Sequence, residues 1–243
     1  MDVVTLGETM ALFTPTSTPL MRYAETYSRK YGGAETNVAI GLTRLGHRVG
    51  WVSKVGDDEI GKGLLTAIRG EGVDVSHVKV DPVAPTGLYF KEVRSGKDVR
   101  VQYYRKGSAA SHLQPEDLDS EYIASAKYLH LTGITPALSD SCYETIKHAI
   151  KIAKENNVTV IFDPNLRRKL WSESKARAVL LELSALSDIV LPGVDEGYFL
   201  FGEKDPVILG QRFIDNGAKL VILKVGAEGA HIFEQGQHRS EER

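Results

Sequence analysis

Val158-Thr159-Val160-Ile161-Phe162 is a run of β-branched and apolar residues closed at once by Asp163-Pro164. Continuous rather than alternating apolarity reads as a strand buried on both faces, and the Asp-Pro pair is a stop signal. Upstream, Ser139 to Asn156 carries Tyr143, Ile146, Ile150 and Ala153 at helical spacing. Downstream, Ser172 to Leu186 opens with Ser172-Glu173, a helix start. A short buried strand between two helices is the repeating unit of an α/β sheet.

The same unit recurs outward from this centre. Val3 to Leu6 stops at Gly7, and Val49-Gly50-Trp51-Val52-Ser53 is a second early run. Ile189-Val190-Leu191 ends at Pro192-Gly193, and Leu220-Val221-Ile222-Leu223 ends near Gly226. Helical patterns lie between them at Asn37 to Leu45, Asp57 to Arg69 and Pro206 to Asn216. The expected class is α/β, a mostly parallel sheet with helices on both faces. Two stretches break the rhythm. Phe13 to Tyr31 is polar and turn-rich. Gly87 to Tyr104 reads as a hairpin turning at Ser95-Gly96-Lys97, with Val99 and Val101 alternating against Arg100 and Gln102. They imply a small β-rich appendage on the α/β body.

Composition excludes several functions. Thirty Lys and Arg against 32 Asp and Glu give a net charge of -2 over 243 residues, with no basic block, so nucleic acid is not an expected partner. The 42% hydrophobic and 26% charged fractions are those of a folded globular chain. One cysteine, Cys142, rules out an internal disulfide framework and a Cys-rich zinc site. No apolar run reaches the ~18 residues of a membrane helix, and the N-terminus lacks a basic, apolar leader. No membrane partner and a cytoplasmic location are therefore expected. No P-loop, Gly-x-Gly-x-x-Gly, His-Glu-x-x-His or Gly-x-Ser-x-Gly motif occurs, and the seven histidines match no metal-ligand spacing, so no metal ligand is assigned.

Five segments carry chemistry. Gly32-Gly33-Ala34-Glu35-Thr36-Asn37 sets two glycines before a helix whose first turn offers an amide, suited to a hydroxyl; it reads equally as a capped turn. Val55-Gly56-Asp57-Asp58 follows a strand and reads first as an acidic helix start. Tyr103-Tyr104-Arg105-Lys106-Gly107-Ser108 ends the hairpin with aromatic rings and a guanidinium able to grip a carboxylate; a solvated edge strand is the alternative. Asp163-Pro164-Asn165-Leu166-Arg167 lies past a strand's C-terminal end, where open α/β sheets bind ligands; a polar turn is the alternative. Lys224-Val225-Gly226-Ala227-Glu228-Gly229 suits a loop near a phosphate, or a plain hairpin turn.

Taken together, in this order, these segments resemble the ribokinase-like (PfkB) carbohydrate kinases, and within them the 2-keto-3-deoxygluconate kinases. Gly7-Glu8, Gly32 to Ala39, Val55 to Asp58, Tyr103 to Ala109, His130-Leu131-Thr132-Gly133-Ile134, Asp163 to Arg167 and Lys224-Val225-Gly226 carry the likeness, which runs from residue 2 to about residue 235. It implies one Rossmann-like α/β domain with a β-sheet lid from about 13–31 and 87–106. It implies transfer of a phosphoryl group from ATP, with Mg2+ held mainly by the nucleotide, to the terminal hydroxyl of a keto-deoxy sugar acid. Gly33 and Asn37 would hold substrate hydroxyls, and Tyr89 and Tyr103 would reach from the lid. Arg105 and Arg167 would neutralise the substrate carboxylate, Arg167 also facing a phosphate. Ile134 would touch the sugar. Asn165, Lys224, Gly226 and Gly229 would line the nucleotide side. Such chemistry rests on positioning and charge neutralisation, which these residue types supply.

The family's catalytic aspartate belongs to a Gly-Ala-Gly-Asp motif that these 243 residues do not contain, so no catalytic residue is assigned and the base is expected beyond residue 243. The expectation is a C-terminally incomplete kinase, poorly soluble or oligomeric through its lid. A fructokinase- or ribokinase-type enzyme, or a non-catalytic sugar-acid binder, is the alternative. Gluconate and galactonate forms of the acid are not distinguished.

Overall fold

The computed structural model describes residues 1–95, 98–234 and 236–241. Gly96 and Lys97 of the expected hairpin turn lie outside the described residues. The chain divides into two compact units, Thr5–Leu113 and Met1–Val4 with Gln114–Arg243. Strand β1, Val3–Leu6, gives its first half to the C-terminal unit and its second half to the N-terminal one.

The C-terminal unit alternates as expected. After the short helix α3 (Ser120–Ala124) come β8 (Tyr128–Thr132), α4 (Asp140–Glu155), β9 (Thr159–Asp163), α5 (Glu173–Ala185) and β10 (Ile189–Val190). Helices α6 (Val194–Phe201) and α7 (Pro206–Asp215) lead to β11 (Leu220–Lys224), then β12 (Ala230–Glu234) and β13 (Gln237–Glu241). Strands β8 to β11 pair in parallel, each joined to the next through helix. Ser139 caps α4 by accepting the Cys142 N–H at 3.0 Å, and Asn157, with φ 57°, turns the chain back into β9. Leu129, Leu131, Val160, Phe162, Val221 and Leu223 on the strands are buried, as are Ile146, Ile150, Leu180 and Phe213 on the helices.

Two corrections fall here. Gln237 to Glu241, a polar stretch to which the sequence assigned no element, is an edge strand, antiparallel to β12 through the Ala230↔Glu241 to Glu234↔Gln237 register. Its exposed polar residues carry no burial signal, and an edge strand needs none. Helix α6 was not expected, because Pro192-Gly193 reads as a turn. Its start is made by Glu196, whose carboxylate accepts the Gly193 N–H at 2.7 Å.

In the N-terminal unit, β4 (Val49–Gly56) is buried from Val49 through Ser53 and pairs in parallel with β5 (Val78–Asp81) across α2 (Glu59–Gly70). Asp58 caps α2 by accepting the Gly61 N–H at 2.7 Å. Helix α1 spans Ala34–Arg44, starting three residues before the expected Asn37, with Gly33 as its cap residue. A separate four-stranded sheet has the order β3-β2-β6-β7, from β2 (Met10–Pro15), β3 (Tyr27–Gly32), β6 (Leu88–Ser95) and β7 (Asp98–Tyr104). The Phe13 to Tyr31 stretch is thus mostly a hairpin. Its pairing Ala11↔Tyr31 to Pro15↔Tyr27 sets the mostly apolar β2 against β3, Tyr-Ser-Arg-Lys-Tyr-Gly, and neither strand alternates with period 2. In β6 and β7 the expected alternation is reversed in part, since Val93 and Val99 are exposed while Glu92 is 5% exposed. Phe90 explains the register, packing against Phe13 at 5.5 Å, Tyr27 at 5.6 Å and Tyr104 at 5.9 Å.

Candidate active site

In the N-terminal unit the period of the β6–β7 hairpin sets the first cluster. Tyr89 and Tyr103 are directly opposed across the ladder, and their rings stack 5.4 Å apart. Two residues on, the Arg105 guanidinium lies 5.7 Å from the Tyr103 ring centre. Arg105 Nη2 is 2.5 Å from Glu8 Oε2, and Ser108 Oγ donates to Glu8 Oε1 at 2.6 Å. The Glu8 side chain is fully buried and that of Arg105 is 11% exposed. Burial pushes the Glu8 carboxyl up, against the pull of Arg105 and Ser108. Half-burial, and then Tyr103, raise the Tyr89 phenol.

Gly33 sits where a Cβ would lie 2.6 Å from the Glu8 carbonyl oxygen and 2.6 Å from Thr9 Oγ1. Gly32 meets the Tyr89 hydroxyl in the same way, at 2.3 Å. The two glycines therefore admit close internal packing, as the turn reading left open beside ligand approach requires. Asn37 is exposed on the first turn of α1, and its main-chain N–H donates to Gly33 O at 3.0 Å. Gly33, Tyr89, Tyr103 and Arg105 are thus connected through Glu8 and its neighbours. Glu8 was quoted within a motif but given no role, since nothing in a Gly-Glu pair reveals a buried ion pair.

In the C-terminal unit the parallel strands deliver their C-terminal ends to one region. Lys224, closing β11, holds both Asp163 carboxylate oxygens at 3.1 Å. Asp163 Oδ1 also accepts the Asn165 N–H at 3.2 Å, and Asn165 takes a left-handed φ of 36° that asparagine tolerates. Gly133 donates its N–H to Asp163 O at 2.9 Å. Glu196 Oε1 accepts from Leu166 N at 2.9 Å while its other oxygen caps α6, so one carboxylate ties the post-β9 turn to that helix. Burial, then Asp163, raise the Glu196 carboxyl, and its two backbone donors oppose them. A cleft of about 730 Å³ opens here, lined by Leu166, Arg168, Gly193, Asp195, Glu196, Lys224, Gly226 and Glu228.

Of the expected nucleotide-side residues, Lys224 and Gly226 line this cleft, whereas Asn165, Arg167 and Gly229 do not. Gly226 and Gly229 have φ of 67° and 106°, and Val225 N–H bonds Gly229 O at 3.0 Å. They close the β11–β12 hairpin, so the turn alternative accounts for both glycines. Arg167 is exposed, with no ion pair among the described residues, unlike Arg168, which pairs with Glu173 at 3.0 Å and lies over Phe199. Ile134 is 8% exposed, its N–H held by Thr132 Oγ1 at 3.1 Å. Among the described residues, no three His, Cys, Asp or Glu side chains cluster as a metal cage. No helix among them is long and apolar enough to cross a membrane.

One unit has a parallel sheet with a cleft past its strand ends, and the other a four-stranded sheet carrying stacked tyrosines and an arginine; each is the kind of feature a small-molecule enzyme uses. The family model for pfkB carbohydrate kinases matches residues 1–242, and the chain belongs to that family. It is 40% identical over 234 residues to the 2-dehydro-3-deoxygluconokinase of Bacillus subtilis, covering 96% of this chain and 72% of that one. Against the enzyme of the same name from Thermoproteus tenax it is 39% identical, covering 97% and 72%. Among solved structures it resembles a PfkB protein from Polaromonas sp. JS666, with a TM-score of 0.96 and 41% identity over 100% of this chain and 82% of that one. A ribokinase II-type protein of E. coli, solved with ATP and Mg2+, matches with a TM-score of 0.88 and 25% identity over 99% and 78%. The protein is a carbohydrate kinase, a phosphotransferase of the ribokinase-like α/β fold.

Proposed function

We propose that the protein transfers the γ-phosphoryl group of ATP to the terminal hydroxyl of 2-keto-3-deoxygluconate, in the cytoplasm where ATP is supplied. The observation that carries this reading is Arg167, an exposed guanidinium with no anionic partner among the described residues, at the end of β9 where α/β sheets receive ligands. A sugar acid gives it a carboxylate to pair with, where a neutral sugar leaves only the nucleotide's phosphates. The names of the two relatives at about 40% identity support the same substrate.

Each unit takes its own share. In the N-terminal unit the four-stranded sheet is the lid: Tyr89, Tyr103 and Arg105 meet the sugar acid, and Gly33 and Asn37 meet its hydroxyls. In the C-terminal unit Asn165, Lys224, Gly226 and Gly229 take the nucleotide side, Ile134 backs the sugar, and Arg167 takes an anionic group of the reactants. Lys224 offers its ammonium to phosphate oxygens as a point charge. Mg2+ prefers oxygen ligands and keeps few protein ones, so it would be held mainly by the nucleotide's phosphate oxygens, with the Asp195 carboxylate lining the cleft beside them. Two copies associate through the lid, whose edge strand β7 exposes Val99, Tyr103 and Tyr104.

The test is ADP release with ATP and Mg2+, comparing 2-keto-3-deoxygluconate with fructose. Release that depends on the sugar acid supports the reading. Equal release with fructose replaces it by a fructokinase-type activity.

A further inference from the structure

We infer that Glu8 is a positioning residue for the sugar-acid carboxylate, acting through Arg105; the inference rests on the reading of Arg105 given above. Glu8 lies between β1 and β2, 3% exposed, and every polar contact of its carboxylate is to the segment after β7: Ser108 Oγ on Oε1, Arg105 Nη2 on Oε2. Gly87, opening β6, presses the other way, since a Cβ there would lie 2.6 Å from Oε1. The carboxylate therefore has little room to move.

A buried ion pair is a poor stabiliser, because desolvation cancels much of the attraction and apolar side chains of equal volume serve as well or better. Stability alone does not explain Glu8. The guanidinium supplies the second observation. Arg105 Nε is buried and has no hydrogen-bond partner, although buried donors are otherwise almost always satisfied. Glu8 thus occupies one part of the fork, and Nε, enclosed by protein, gains no partner from it. Tyr103 lies against the ring-facing side of the guanidinium and limits its tilt. An arginine so held has surrendered its rotamer freedom before the ligand arrives, and the small part of its side chain left exposed, 11%, is what an incoming carboxylate would meet. Ser108 fixes the first carboxylate oxygen, so the chain of support runs Ser108, Glu8, Arg105, ligand.

The experiment is a double-mutant cycle on steady-state kinetics, with E8Q, S108A, R105A and the pair E8Q/R105A. We expect E8Q to raise KM for 2-keto-3-deoxygluconate roughly 10-fold, with kcat within about twofold and KM for ATP unchanged. In the R105A background the same substitution should add nothing further. S108A, which leaves every carbon in place, should raise the same KM by about threefold and serves if E8Q melts early. R105A that leaves KM for the acid unchanged overturns the reading of Arg105, and the inference with it. R105A that raises KM while E8Q and S108A do not, or an E8Q effect that persists in full without Arg105, overturns the role of Glu8 alone.

Discussion

Lys224 Nζ stands 3.1 Å from each carboxylate oxygen of Asp163, so the C-terminal ends of β11 and β9 are joined by charge across the short strand β10 between them. The lysine side chain is 48% exposed and the aspartate 22%, so solvent screens the pair. The K224A variant should lose no more than about 1 kcal/mol of stability in urea melts. If Lys224 serves the phosphates, KM for ATP should rise roughly 10-fold while KM for the sugar acid stays within about threefold. A large loss of stability with unchanged KM for ATP would make the lysine structural.

Arg167 separates function from stability more cleanly. It is exposed and makes no ion pair among the described residues, so R167A should shift stability by less than about 0.5 kcal/mol. The same change should lower kcat/KM on the sugar acid by about 10²-fold or more, since it removes a cation aimed at reactant charge. Wild-type turnover by R167A would remove this residue from the site.

Gly133 guards the turn that carries Asn165. A Cβ there would fall 2.0 Å from the Pro164 carbonyl oxygen and 2.5 Å from Leu180 Cδ2. Backbone has to move, so G133A should cost about 1–3 kcal/mol and displace the residues after β9. Thermal melting and kcat should fall together, and an unaffected melt would contradict the packing.

His130 makes stability depend on pH. Burial in β8 lowers its pKa to about 4, Lys224 adding to that and Asp163 opposing it. The folded form keeps the imidazole neutral where the unfolded chain, near 6.5, already binds a proton. The unfolded state therefore holds more protons between these values, and stability falls as pH drops from about 6.5 towards 4. The full contribution is about 3 kcal/mol, present above pH 6.5 and gone below 4. Urea unfolding across this range should show the slope, and H130Q should flatten it.

The α/β body was legible because its strands are short, apolar and closed by turn residues. Val3 to Leu6 matches β1 residue for residue, and Leu220 to Leu223 extends by Lys224 alone. The edges were not legible. Strand β13 carries Gln237, His238, Arg239, Ser240 and Glu241, whose side chains are all exposed, and β3 puts Arg29 and Lys30 in solvent. Pairing there is a property of the backbone and of a partner strand, not of apolar periodicity. Helix α6 hid behind Pro192-Gly193, although Glu196 at the third helical position was a readable capping signal. Tyr103 and Arg105 stood out in the sequence as the end of a hairpin, Tyr89 only through the family resemblance, and the structure brings the three side chains together. Glu8 and Glu196 did not stand out, because their partners, Arg105 at one and Leu166 at the other, lie 97 and 30 residues away along the chain.

The central claim is that a guanidinium recognises the carboxylate of a sugar acid that this kinase phosphorylates. The most direct measurement is kcat/KM for 2-keto-3-deoxygluconate against the same carbon skeleton with C1 reduced to an alcohol, by ADP release at fixed ATP and Mg2+. The account predicts that the acid is preferred by at least roughly 10²-fold, the worth of a charge-assisted pair lost with its carboxylate. Equal values for the two would contradict it, since neither Arg105 nor Arg167 would then gain anything from the carboxylate.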